Sequence, residues 1–78
     1  MKYPKVSLIK FRQRFFCVRV YIKNNLSDCI DLIEYFNGTV YSNNYDDYIK
    51  NNYEFITIGA QFKTYEQAMY FRKLVRGD

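Results

Sequence analysis

The clearest pattern along the chain is a strict alternation of side chains between residues 15 and 23. One set falls on one side of an extended strand: Phe16, Val18, Val20 and Ile22. The other side receives Phe15, Cys17, Arg19, Tyr21 and Lys23. Because successive side chains of a strand point to opposite faces, we expect the first set to face the core and the second to form an outer face.

Three further segments have the composition of strands. Residues 3–11 carry apolar side chains around Pro4 and suit an edge strand, and residues 39–42 suit a short strand. Residues 53–62 alternate again, with Ile56, Ile58, Ala60 and Phe62 on one face and Tyr53, Phe55, Thr57, Gly59 and Gln61 on the other. Residues 12–14 are polar enough for a reversal but lack the Gly or Asn that tight hairpins favour. The polar residues 43–52 predict either a loop or the two arms of a hairpin tip.

Two segments have the three-to-four spacing of amphipathic helices. The first covers residues 26–36, with Asn25 or Ser27 as its cap and Asn37-Gly38 at its end. The second follows Thr64, where Thr64 and Gln67 have the spacing of a capping box, and ends at Gly77. The sequence thus predicts an α+β fold in the order β-β-α-β-β-α, with both helices on one face of an antiparallel sheet.

Length and charge limit the range of partners. A chain of 78 residues supports one hydrophobic core, so residues 1–78 are expected to form a single domain. Its net charge of +4 attracts nucleic acid, an acidic protein surface or an anionic membrane. No window approaches 18 apolar residues and Lys10, Arg12 and Arg14 interrupt the first apolar stretch, so we expect a cytoplasmic protein without a membrane partner. Cys17 and Cys29 are expected to be free thiols.

The residues offer little catalytic chemistry. The chain has no histidine, its two cysteines are twelve positions apart, and its three glycines do not cluster as in a phosphate loop. Asp46-Asp47 is an adjacent acidic pair that would need a third carboxylate to hold a magnesium ion, and a solvated loop explains it better. We therefore expect a protein that is not an enzyme and uses neither a metal nor another cofactor.

The outer face of the predicted sheet is the candidate binding surface. It combines aromatic and basic side chains, namely Phe15, Arg19, Tyr21, Lys23, Tyr53 and Phe55, with further basic contacts from Lys10, Arg12 and Arg14. Such a face serves either as a protein interface, which the sequence favours slightly, or as a surface for single-stranded RNA or DNA. The segments 55–58 and 64–68 resemble the third strand and second helix of RNA-recognition motifs, which implies single-stranded RNA as the ligand.

The composition as a whole resembles that of the small accessory proteins of phages and mobile elements with AT-rich genomes. The chain lacks Trp and His and is rich in Asn, Tyr, Ile and Lys. This resemblance implies a stoichiometric inhibitor or modulator, a homodimer, that binds a host protein or a nucleoprotein defence complex in the cytoplasm of the host cell. A regulator that binds single-stranded nucleic acid directly is the alternative.

Overall fold

A computed structural model describes residues 4–77 of the protein. Five strands and three helices follow one another within these residues: β1 (Lys5–Val6), β2 (Lys10–Arg12), β3 (Phe15–Ile22), α1 (Leu26–Tyr35), β4 (Thr39–Asn43), α2 (Tyr45–Asn51), β5 (Ile56–Phe62) and α3 (Tyr65–Arg76). The strands pair antiparallel, so the predicted α+β class with an antiparallel sheet is confirmed.

The sheet has β3 and β5 at its centre and runs in the order β1-β3-β5-β4, with β2 also paired to β3. The β3–β5 ladder extends from Phe16 opposite Phe62 to Ile22 opposite Ile56. Strands β1 and β2 lie end to end along the other side of β3, and together they form one edge of the sheet. Strand β4 forms the opposite edge.

The break between β1 and β2 is held by Ser7. Its amide donates to the carbonyl of Arg19 over 2.8 Å, and its hydroxyl oxygen accepts the amide of Arg19 over 2.9 Å. The Nε of Arg72, on α3, donates to the Ser7 carbonyl over 2.9 Å. These three bonds satisfy polar groups that an interrupted ladder would leave without partners, so the break is a stable part of the fold.

The core lies on one face of the sheet, here called the inner face. Seven strand residues are buried there: Val18, Val20, Ile22, Ile56, Ile58, Ala60 and Phe62. Helix α1 covers them with Cys29 and Ile33, and α3 with Ala68 and Phe71, whose ring lies 5.3 Å from that of Phe62. The alternation of β3 and β5 therefore predicted the core correctly, and α1 and α3 lie on the same side of the sheet.

The predicted order with two helices is wrong, because residues 45–51 form a third helix. Asp46 and Asp47 lie in its first turn and Lys50 in its last, where each complements the helix dipole. None of its residues is fully buried. The amide of Asn44 donates to the carbonyl of Thr57 over 3.1 Å, and its side-chain oxygen accepts the Thr57 amide over 2.6 Å. The helix thus starts from a fixed point beside β5.

Several predicted boundaries also change. The segment 3–11 divides into β1 and β2, and residue 3 lies outside the described part of the chain. The last strand begins at Ile56 rather than at residue 53. Residues 13 and 14 make a two-residue turn in which Gln13 has a φ of 50° and Arg14 a φ of 73°. Positive φ at both positions is the geometry of the tight hairpin, which forms here without Gly or Asn.

Candidate binding site on the outer face of the sheet

The face of the sheet opposite α1 and α3, here called the outer face, carries the candidate site. The strand registers place twelve residues on it: Lys5, Lys10, Arg12, Phe15, Cys17, Arg19, Tyr21, Thr39, Ser42, Thr57, Gly59 and Gln61. The two long helices bury their apolar residues against the inner face instead. The outer face is therefore the side of the sheet that α1 and α3 leave uncovered.

Basic residues of the edge lie directly opposite the outer-face residues of β3. Lys5 pairs with Tyr21, Lys10 with Cys17, and Arg12 with Phe15. Directly paired residues have Cβ atoms about 5 Å apart, so each lysine or arginine stem lies beside its partner. This arrangement places one basic side chain beside Tyr21 and another beside Phe15.

Charge is distributed unevenly along the chain. Residues 1–27 contain seven of the twelve Lys and Arg residues and none of the eight acidic residues. All eight acidic residues occur from Asp28 onward, with the other five Lys and Arg. Because β1, β2 and β3 come from the first part, that half of the sheet carries only positive ionised side chains. Although the net charge of the whole chain is only +4, residues 1–27 are therefore strongly basic.

The ring of Tyr41 lies across the middle of the outer face. A Cβ atom added to Gly59 would come within 2.6 Å of Cζ and 2.9 Å of Cε1 of this ring. The ring thus occupies the space above Gly59, which lies directly opposite Arg19. Strand β4 has an irregular register between Val40 and Ser42, so the extra residue there is Tyr41. The tyrosine remains 47% exposed.

These side chains surround a depression of about 230 Å³ on the outer face. Six of its lining residues supply charge, rings or a thiol: Lys10, Arg12, Cys17, Arg19, Tyr21 and Tyr41. None of the residues that line it is acidic. The depression can therefore accept an anionic group next to the exposed ring of Tyr41.

The structure brings together four of the six residues predicted for the site and leaves two apart. Phe15, Arg19 and Tyr21 lie on the outer face, and the ring of Phe55 meets that of Tyr21 edge to face with centroids 5.5 Å apart. Lys23 follows the end of β3, where its carbonyl accepts the Tyr48 hydroxyl. Tyr53 precedes β5 and donates its amide to the carbonyl of Tyr48 over 3.3 Å.

Of the three additional basic residues predicted for the site, two lie on the outer face and one does not. Lys10 and Arg12 lie on the outer face and line the depression. Arg14 lies in the β2–β3 turn and is exposed.

Two residues of the site, Lys5 and Tyr41, are not predicted from the sequence. The absence of acidic residues before position 28 was a signal for a basic region that includes Lys5. The position of Tyr41 depends on the β4–β5 register and on the missing side chain of Gly59, neither of which the sequence reveals.

Other reactive groups lie away from this surface. Cys29 lies in α1 beside a larger depression of about 530 Å³ between α1 and α3, and burial raises the pKa of its thiol to about 11. Asp46 and Asp47 belong to the first turn of α2. Across residues 4–77, no group of three or more acidic, Cys or His side chains is placed to bind a metal ion.

In the described part of the chain, none of the helices has the length and apolar character needed to cross a bilayer. Comparison with known protein families, with curated proteins and with solved structures finds no match to this chain.

Proposed function

We propose that the protein is a non-enzymatic binding protein that acts stoichiometrically on a host protein or nucleoprotein complex, as an inhibitor or modulator of the phage type. Its binding surface is the outer face of the sheet. The observation that supports this proposal is the combination, on one face free of α1 and α3, of aromatic rings with basic side chains and no acidic side chain.

Charge decides what kind of surface the partner presents. Four basic side chains, Lys5, Lys10, Arg12 and Arg19, lie on the outer face, and a neutral partner would have to desolvate them without compensation. An acidic partner surface compensates them and also accelerates association. We therefore propose that the partner offers negative charge, either as acidic side chains or as nucleic acid held within a complex.

A second candidate function is direct binding of single-stranded RNA or DNA by a free regulator. The exposed ring of Tyr41 beside Arg19 favours it, because bases stack on aromatic rings while cations hold phosphates. Under either function the protein acts in the cytoplasm, as a homodimer and without a cofactor.

Charge reversal on the outer face tests the main proposal. We expect the tagged full chain to retain one dominant partner from host extract after nuclease treatment, and Arg12→Glu with Arg19→Glu to lose it. The matched control is Lys63→Glu with Lys73→Glu, which makes the same charge change at exposed positions outside the outer face. Mass spectrometry of the eluates measures how much of the partner each double variant retains. Equal loss in the two double variants would show that net charge, and not this face, governs binding.

A further inference from the structure

The depression on the outer face has the parts of a site for one nucleotide of a single strand. We propose that Tyr41 stacks against a base and that Lys10, Arg12 and Arg19 bind the adjoining phosphates, so that the ligand is single-stranded RNA or DNA. This inference rests on the proposed function, because it uses the same face and names what that face contacts.

Tyr41 is suited to stacking by the way its ring is supported. The Cζ and Cε1 atoms of the ring lie 2.6 and 2.9 Å from where a Cβ of residue 59 would stand, which leaves no space there for even a methyl group. The residue is nevertheless 47% exposed, so part of its ring is accessible to solvent. A ring that is already packed over Gly59 loses little conformational entropy when a base packs on it. The lack of a side chain at position 59 is thus what makes the ring a platform.

The basic residues are positioned for the backbone of the same strand. Arg19 lies directly opposite Gly59 and therefore next to the Tyr41 ring, and Lys10 lies opposite Cys17 two residues earlier on β3. Arg12 lies opposite Phe15, a further two residues along. Lys10 and Arg12 are two residues apart on β2 and therefore about 6.6 Å apart, close to the spacing of consecutive phosphates in an extended single strand, and Arg19 lies diagonally across from Lys10 on β3, about 7 to 8 Å away. The cations thus form a row that starts at the platform.

A duplex fits this arrangement less well than a single strand. Bases in a duplex are stacked on one another, and stacking on Tyr41 would require one of them to leave the helix at a cost of a few kcal/mol in general. A single strand offers its bases without that cost. We therefore expect the site to prefer single strands of RNA or DNA over duplexes of the same sequence.

Fluorescence anisotropy with labelled 12-nucleotide oligo(dT) and oligo(rU) tests the inference on the full chain. Tyr41→Phe should bind as the unmodified protein does, whereas Tyr41→Leu should bind about 5- to 150-fold more weakly because it keeps the packing on Gly59 but loses the aromatic face. Tyr70→Leu is the matched control, since Tyr70 is similarly exposed on α3. Its affinity should not change.

Salt dependence tests the row of cations separately. With three phosphate contacts, the logarithm of affinity should fall with the logarithm of salt concentration at a slope of about −2. Arg19→Gln should reduce that slope by about 0.7, and Lys63→Gln should leave it unchanged. Urea unfolding of every variant verifies that each remains folded.

The possible outcomes separate this inference from the proposed function. Single-strand binding that falls with Tyr41→Leu and Arg19→Gln supports it. Absence of single-strand binding at 50 mM salt, or binding that both variants leave intact, overturns it. If a host protein is then still captured after nuclease treatment, and Arg12→Glu with Arg19→Glu abolishes the capture, the proposed function stands with a protein surface as the ligand.

Discussion

At the scale of single residues, the outer face depends on a position that has no side chain. Gly59 is buried in the middle of β5, and the Tyr41 ring occupies the space that a side chain would fill. A hydrogen atom at this position lets a ring from the edge strand reach across the sheet towards Arg19. The aromatic character of the site is therefore determined by a glycine as much as by the tyrosine.

Replacing Gly59 with Ala tests this relation. The new methyl group would lie 2.6 Å from both the Tyr41 Cζ and the Ser42 Oγ, so we expect a loss of about 1 to 3 kcal/mol in the free energy of unfolding. In a Tyr41→Ala background the same change should cost clearly less, because the ring that it displaces is gone. Urea unfolding of the two single variants and the double variant measures this coupling. Additive effects would mean that the ring does not occupy the space above Gly59.

At the scale of secondary structure, the sequence predicted the elements whose residues alternate or repeat. Strands β3 and β5 have a fully apolar inner face, and α1 and α3 have apolar residues at three-to-four spacing, so their periodicity identified them. The sequence does not predict helix α2, because the helix has only seven residues, buries none of them completely, and sets Tyr45, Tyr48 and Ile49 among polar residues typical of a loop. The division of β1 from β2 was missed because it depends on contacts of Ser7 with Arg19 and Arg72, distant in sequence.

For the candidate site, as for the fold, the sequence predicts what depends on the pattern within one element. Phe15, Arg19 and Tyr21 share one face by alternation within β3 alone, which the sequence shows directly. The prediction of Tyr53 at the site requires the last strand to begin at residue 53, whereas β5 begins at Ile56. Tyr41 reaches the site only through a bulge in the ladder between two strands. Alternation within a strand was visible in the sequence, but register between strands was not.

Asn44 connects α2 to β5 and gives a second prediction. Its side-chain oxygen accepts the partly buried amide of Thr57 over 2.6 Å. Asn44→Ala would leave that amide without a partner, so we expect a loss of about 1 to 3 kcal/mol in the free energy of unfolding. Asn44→Asp keeps the accepting oxygen and should retain most of the stability. Urea unfolding compares the two variants, and hydrogen exchange at the Thr57 amide should be faster in the alanine variant only. If Asn44→Ala and Asn44→Asp are equally stable, the hydrogen bond from the Thr57 amide to the Asn44 side chain does not stabilise the contact between α2 and β5.

At the scale of the whole molecule, the two edges of the sheet differ in charge. The edge formed by β1 and β2 carries Lys5, Lys10 and Arg12 and is interrupted at Ser7, and interruptions and charges of this kind discourage pairing with another strand. The β4 edge, Thr39–Asn43, contains no charged residue, pairs on one side only and is interrupted only by the bulge at Tyr41. The proposed homodimer is therefore expected to form by antiparallel pairing of β4 with β4 of a second copy.

Such a dimer is compatible with the distribution of charge. The order β1-β3-β5-β4 places the basic first part of the chain at the edge away from β4, so two copies joined through β4 keep their basic regions apart. The outer faces of both copies would then continue across one sheet, with the two Tyr41 rings near its middle. Two binding sites on one rigid sheet increase the effective affinity for a partner that spans both, without any new contact.

Sedimentation equilibrium measures whether this edge joins two copies. We expect the unmodified protein to be a dimer and Thr39→Lys to be largely monomeric, because a lysine from each copy would enter the paired edge, where natural sheets use lysine to prevent such pairing. Leu8→Lys adds the same charge at an exposed position beside the opposite edge and should leave the dimer intact. If both variants dissociate equally, the cause is general charge repulsion. If Thr39→Lys remains dimeric, β4 is not the interface, and the second copy must bind elsewhere.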